Sequence, residues 1–264
     1  MKVCSFYVLI GPPRPADKNL VLMPQSEILL NGVSLVADLS GVLWWPARRW
    51  LVVADLHLEK GSAFARKGQF LPPYDTAMTL ERLEAACARL GPARVICLGD
   101  SFHDRTAAER VGEAEGRRIA ALAAAHDWVW IAGNHDPAPP EGWGGTVLPQ
   151  MDEGGLLFRH EAVVPLDRPG EVSGHYHPKA SVSTRGRRVT ARCFVSDGRR
   201  LALPAFGSFT GGLNVLDPAI RGLFQPGFQV WMLGQEKLHC LPATRLAAEP
   251  PSLDRWDMGR AKRG

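Results

Sequence analysis

The chain has 264 residues, 45% of them hydrophobic and 22% charged, with a formal net charge of +4 at pH 7. That length suits one well-buried core with a small appendage, and the composition is that of an ordinary soluble globular protein. The charge is compatible with an anionic or nucleic-acid partner without requiring one. The cysteines (Cys4, Cys87, Cys97, Cys193 and Cys240) are odd in number and widely spaced, with no CxxC. This argues against a disulfide framework or a structural zinc knuckle.

Residues 1–22 read as an appendage, set off by Pro12, Pro13 and Pro15; Met23 offers an alternative start. The apolar run in MKVCSFYVLIG lacks a small-residue cleavage site, so it resembles an export signal only weakly. No stretch reaches membrane-spanning length, and the protein is expected to be soluble and cytoplasmic, with no membrane partner. SEILLNGVSLVADLS at 26–40 predicts two short strands, and GVLWWPARRW a turn and hairpin edge. LVVAD at 51–55 is apolar and β-branched, which predicts a buried strand ending in an acid. Over 74–90 a helix is predicted, with Met78, Leu80, Leu83, Cys87 and Leu90 on one broad face. RVICLGD at 94–100 predicts the next strand, the alanine-rich 107–126 a helix, and DWVWIAGNHD at 127–136 a third strand and loop. The resulting βαβαβ order argues a layered α/β core. GGLLFRH at 154–160 and GEVSGHYH at 170–177 each read as a strand delivering histidine into a loop. Glycine turns at Gly186 and Gly198 then predict a meander of short antiparallel strands, followed by a glycine-rich loop at 207–214. One domain over 23–243 is expected, with 244–264 as a polar, frayed tail.

The chemistry lies where the strands end. Asp55 and His57 alternate after LVVA, a spacing that can put both side chains on one side of an extended segment. Asp100 ends its strand, Asn134, His135 and Asp136 end the next, His160 ends LLFRH, and His175 and His177 alternate in GHYH. Oxygen and imidazole donors delivered by separate segments suit a pair of borderline divalent cations. They suit a single structural zinc poorly, since donors are too many and thiolates absent. His135, between Asn134 and Asp136, can donate a proton to a leaving oxygen or stabilise its charge. Asp136 can assist it or serve the loop alone.

DLHLEKG, LGD, GNHD, FRH and GHYH, in that order within roughly residues 26–215, resemble the calcineurin-like metallophosphoesterase family. The resemblance implies a four-layer α-β-β-α sandwich of the α/β class with its ligands on loops between strands and helices. It implies Asp55, His57 and His177 on one ion, Asn134, His160 and His175 on the other, and Asp100 bridging them. Such a pair activates water and clamps the attacking and leaving oxygens of a phosphate ester. Manganese is the expected metal, with iron or zinc chemically admissible. DLHLEKGSAFARKG, LPPYDT, LGDSFHD, SDGRR and the TGGLN string are more closely similar to the ligase-associated DNA damage response endonuclease branch. This implies a DNA substrate, with DNA ligase and helicase-like repair partners. A small-molecule or cyclic-nucleotide phosphodiesterase or phosphatase with the same centre is the alternative, and an inactive interaction scaffold a further one. The intact ligand set argues against the scaffold.

One departure stands out. Many members read GDxxD, whereas here Gly99-Asp100-Ser101-Phe102-His103-Asp104-Arg105 puts the second acid one residue late. Asp104 as an orienting group for His135, and Arg105 as a phosphate contact, are therefore open, and His103 can line the substrate site instead. Glu59 and Lys60 can organise the site or be solvated. Arg66, Lys67 and the arginines 185, 187, 188, 192, 199 and 200 can meet phosphates or form ordinary surface. Trp44, Trp45 and Trp50 read as packing residues more than as stacking platforms. The loop 207–212 lacks the lysine of a nucleotide-binding loop, yet can bring Phe209 or Thr210 near the substrate.

Overall fold

In the computed structural model, which describes residues 26–66, 68, 74–104, 106–134, 142–184 and 186–248, two mixed sheets lie face to face. The appendage 1–22 and most of the expected tail lie outside the described residues. The first sheet runs in chain order through β1 (Glu27–Leu30), β2 (Val33–Ala37), β3 (Leu43–Trp45), β4 (Trp50–Ala54), β5 (Arg94–Leu98), β6 (Asp127–Ile131) and β7 (Thr146–Leu148). β4 to β7 are parallel. The crossovers carry α1 (Lys60–Arg66), α2 (Asp75–Leu90) and α3 (Glu113–Ala125). The second sheet has β8 (Gln150–Glu153), β9 (Leu156–Arg159), β10 (Glu171–Ser173), β11 (Lys179–Thr184), β12 (Arg187–Ser196), β13 (Arg200–Ala202), β14 (Gln229–Leu233) and β15 (Leu238–Pro242). Its order is β15-β14-β12-β13-β10-β9-β8, with β11 paired to β12 and α4 (Pro218–Arg221) in the connection before β14.

Both faces of the central strands are buried, which is why they read as unbroken apolar runs. Trp50, Val52, Ala54, Ile96, Leu98, Val129 and Ile131 point into the core between the sheets, where Phe158, Phe194, Leu201 and Trp231 meet them. The alternate residues Leu51, Val53, Val95, Cys97, Trp128 and Trp130 face Leu80, Leu83, Cys87, Ile119 and Leu122 of α2 and α3. A third core lies on the outer face of the second sheet, where Cys193, Val195, Val230 and Met232 pack on Ile220, Phe224 and Phe228. Three cores separate four layers, the α-β-β-α sandwich, and the outermost layer is thin: among the described residues its helical parts are α4 and a 3-10 turn at Ala243–Arg245.

Several expectations shift in detail. Met78 is 43% exposed, and α2 instead buries Asp75, Thr76, Thr79, Leu80, Leu83, Ala86 and Cys87. The buried polar residues at its start hold neighbouring loops: Asp75 accepts from the Gly61 N–H and Thr79 from the Ser208 N–H. The helix expected over 107–126 is divided into a 3-10 turn, Ala107–Arg110, and α3 from Glu113, with Gly112 at the break. Of the expected frayed tail, Leu246 packs on the third core and the Ala247 N–H donates to the Ser181 carbonyl. Trp44, Trp45 and Trp50 are buried, as packing residues should be. No helix among the described residues is long and apolar enough to cross a membrane.

Candidate metal centre

The sequence-derived ligand positions fall at the carboxyl ends of β4, β5, β6, β9 and β10, all at one edge of the two sheets. Ligands in open α/β folds collect at such ends, because the chain leaves each strand there. The segments after β4 and β5 keep pairing beyond the sheet. The His57 N–H donates to the Asp100 carbonyl, the Leu58 N–H to Ser101 and the His103 N–H to Leu58. This pairing does not run through extended backbone. Asp55, His57, Asp100, His175 and His177 all have positive φ, at 54°, 43°, 42°, 70° and 46°. Asp55 and His57 therefore converge through a tight left-handed segment, not through strand alternation. Non-glycine residues seldom hold that conformation, and clusters of them mark functional sites.

Two groups of donors result. Asp55, His57 and His177 each bring one donor atom to within 4.8 Å of the others, and so do Asp100, His160 and His175. In the first group His57 Nε2 and His177 Nε2 stand 3.1 Å apart, and His177 Nε2 lies 3.5 Å from Asp55 Oδ1. In the second, His175 Nδ1 stands 3.2 Å from His160 Nε2, which is 3.4 Å from Asp100 Oδ2. Two imidazole nitrogens bound to one cation at about 2.1 Å, with a right angle or slightly more between them, stand about 3.0–3.3 Å apart. Both pairs match that spacing, so the residues fit a cation in each group. The groups adjoin: His160 Nδ1 is 3.8 Å from Asp55 Oδ1.

The surrounding hydrogen bonds aim these donors. The Nδ1–H of His160 donates to the Leu98 carbonyl at 3.1 Å, which leaves Nε2 to face Asp100. Asp55 is fully buried and accepts from the His175 N–H through both oxygens, at 3.1 and 2.9 Å. Gly174 lets Asp55 approach, since a Cβ there would lie 2.8 Å from Asp55 Oδ2. Gly99, at φ +65°, leaves room for the His160 ring, which a Cβ would overlap. Burial and the neighbouring His177 push the His57 pKa down to about 3, against the pull of Asp100, so its imidazole is neutral and ready to donate a lone pair. Burial also depresses His160, but its bond to Asp100 and the charges of Asp55 and Asp100 prevail and raise it to about 9. Burial and His160 lower His175.

Other expected residues lie apart from these groups or touch them from outside. Asn134 is exposed, and its Nδ2 reaches Glu161 Oε2 at 3.4 Å. Glu161 also faces His175 Nε2 at 3.7 Å, a neighbour that sequence reasoning missed although it directly follows His160. Asp104 serves the 3-10 turn: it pairs with Arg110 at 2.8 Å and accepts from the Thr106 N–H and hydroxyl. The Arg110 and Thr106 bonds, against some desolvation, bring its pKa down to about 2. His103 packs edge-on against His57, with ring centroids 5.8 Å apart. Glu59 accepts from Thr76 and anchors α2. Lys67, Arg105, His135, Asp136 and Arg185 lie outside the described residues. Arg200 is not surface: it is 1% exposed, pairs with the buried Glu171 at 2.6 Å and donates to the Leu223 and Val163 carbonyls. Arg192 turns inward too, onto the Ala205 carbonyl.

Residues 48–202, more than half of the chain, match the family model for calcineurin-like phosphoesterases. The chain belongs to this family. Its phosphoesterase fold aligns with the crystal structure of Pseudomonas putida nuclease MPE at a TM-score of 0.62 and 30% identity, over 81% of this chain and 98% of that one. YfcE, a phosphoesterase from E. coli, aligns at a TM-score of 0.37 and 14% identity over 73% of this chain and 97% of that one, a likeness too slight to carry an argument. No curated protein sequence matches. For a calcineurin-like phosphoesterase the two donor groups are candidate sites for divalent metal, and the chain is a metal-dependent hydrolase by family.

Proposed function

We propose that this phosphoesterase hydrolyses phosphodiester bonds in DNA with two divalent cations, manganese by preference. The observation that carries the reading is the pair of adjoining donor groups, each with histidine nitrogens at chelating distance. Asp55, His57 and His177 hold one ion, and Asn134, His160 and His175 the other. Asp100 bridges them, a role supported by its contact with His160 in one group and its electrostatic pull on His57 in the other. Bound cations would supply Lewis-acid activation of water and neutralise charge on the phosphate. The buried carboxylates of Asp55 and Asp100 would offset the cationic charge. The Leu98 carbonyl and Glu161 keep the His160 and His175 rings turned to their ions. His135, directly after Asn134, donates a proton to the leaving oxygen, with Asp136 assisting it, while Asp104 holds the loop that follows Asp100.

The DNA substrate is supported by the likeness to a nuclease at 30% identity over nearly all of that chain. The motifs shared with the ligase-associated endonuclease branch extend the reading to cytoplasmic DNA repair beside a DNA ligase and a helicase-like partner. The test compares hydrolysis of labelled single-stranded, nicked, flapped and duplex DNA with that of cyclic dinucleotides and mononucleotide esters, in manganese. At least one DNA form should be cut, with a loss of roughly 10²–10⁴-fold in H135A and loss of both metal and activity in D100N. Turnover of a small diester alone would replace the DNA reading with the small-molecule one.

A further inference from the structure

The loop 207–213 is tied to the ligand-bearing backbone at both ends. The Gly207 N–H donates to the Asp55 carbonyl at 3.0 Å and the Ser208 N–H to Thr79 Oγ1 at 3.0 Å, while the Leu213 carbonyl accepts from the Lys179 N–H at 2.8 Å. Gly207 and Gly212 permit this contact, because a Cβ at either would overlap the carbonyl of Leu56 or of His177. A loop so close to the centre, GSFTGGL in sequence, could bury its two large apolar side chains. It instead leaves Phe209 44% exposed and Leu213 46% exposed, with Phe209 in the left-handed region at φ 57°. Phe209 belongs to none of the three cores. An exposed ring on an anchored loop, held by a backbone conformation unfavourable to phenylalanine, is poorly explained by folding.

Cationic charge lies beside it. The stem of Lys179 runs along the loop, its Cγ and Cε 3.2 and 3.1 Å from where a Gly212 Cβ would stand. Lys60 is near enough to Lys179 to feel its charge. Burial lowers the Lys60 pKa first, Asp75 opposes this, and Lys179 adds to the fall. Lys60 also bears on His57 of the first donor group. The Lys60 ammonium stands over the Phe64 ring of α1, 5.6 Å from its centroid, while the exposed Phe209 ring and the Lys179 stem lie on the loop anchored to the Asp55 and His177 backbone.

We propose that Phe209, Lys60 and Lys179 form a subsite for one unpaired nucleotide beside the scissile phosphate, the base stacking on Phe209 and the flanking backbone phosphates meeting the lysines. The inference rests on the nuclease reading and deepens it. Stacking on an aromatic side chain needs an accessible base face, which a paired and stacked duplex withholds, so the subsite selects single-stranded or frayed DNA and tolerates any base. The experiment measures equilibrium binding of manganese-loaded protein to a short phosphorothioate-linked single strand, intact or with one abasic position moved along it. F209A should bind the intact strand roughly 5- to 100-fold more weakly, and F209W within about threefold of the parent. At one position the abasic lesion should weaken the parent as F209A does, and F209A should bind that lesion strand no worse than the intact one. Undiminished binding by F209A, or F209A and abasic losses that multiply at every position, would overturn the subsite while leaving the nuclease standing. A parent that binds no strand at all would remove both.

Discussion

Gly99 supports a quantitative test of how the second donor group is held. Replacing it with alanine imposes two costs. The left-handed backbone at φ +65° becomes unfavourable by about 1–2 kcal/mol. The new methyl also overlaps the His160 ring, which must leave its bond to the Leu98 carbonyl, at a further cost of about 1 kcal/mol or somewhat more. The sum, about 2–4 kcal/mol, corresponds to a fall in Tm of roughly 5–15 °C for a domain of this size. Gly186→Ala is the control, since Gly186 shares the positive φ, at +76°, but has nothing within 4 Å of its added methyl. It should lose only the backbone contribution. Thermal melts of both variants in chelator give the stability difference, and calorimetric titration with manganese reads the site. G99A should bind its second ion about 10–100-fold more weakly, as when a ligand-orienting contact is lost, while G186A binds as the parent does. If G99A melts within a degree of G186A with manganese binding intact, Gly99 does not position His160.

Three further outcomes are expected. Glu171→Ala strands the buried guanidinium of Arg200 and should cost about 3–5 kcal/mol in denaturant melts, whereas replacing both residues with methionine should cost clearly less; equal losses would show that the pair's own interaction, and not a stranded charge, carries the cost. The Asp104 pKa lies near 2 in the folded chain, below its ordinary value of 3.8, so its contribution is complete above pH 3.8 and disappears as pH falls through 2. Its side chain is 38% exposed, so D104N should flatten acid unfolding in that window by under about 1 kcal/mol. Manganese at a hundredfold excess over its Kd should stabilise the parent by about 2.7 kcal/mol in melts, and D55N should show little of that gain.

Much of this architecture was legible in the sequence because the central strands are buried on both sides. LVVA, RVICL and DWVWI announce themselves as apolar runs, and the first two lead directly to Asp55 and Asp100 of the donor groups. Asp55, His57, Asp100, His160, His175 and His177, which the fold gathers into two donor groups, stand out at strand exits for the same reason. What escaped depends on contacts between distant segments. α1 is seven residues long and includes Gly61 and Ser62, so no apolar period marks it; the Asp75 carboxylate near its start helps to fix it. The left-handed backbone at Asp55 and His57 follows from pairing with Asp100 and Ser101, some 45 residues away, and no local pattern reports it. Arg200 looked like surface in a run of arginines because its partner, Glu171, is 29 residues earlier in the chain. β14 and β15, for which no strand was expected, take their place through distant contacts on both faces: Trp231 and Leu238 in the core between the sheets, Val230 and Met232 against Phe224 and Phe228.

Each donor group draws on both sheets. Asp55 and His57 follow β4 of the first sheet and His177 follows β10 of the second, while Asp100 follows β5 and meets His160 and His175 from β9 and β10. At this edge the sheets also share the single bridge between Ala54 and Ala205 and the contact of Phe206 with the Ala54 carbonyl. A cation in either group is therefore a rivet through two plates, and stripping it frees the seam as well as the chemistry. Amide exchange in metal-depleted protein should accelerate first at residues 54–58, 99–103 and 174–177, while the strand centres stay protected by the apolar core between the sheets. Metal supply to the cell would then set how long the protein survives proteolysis as well as how fast it works.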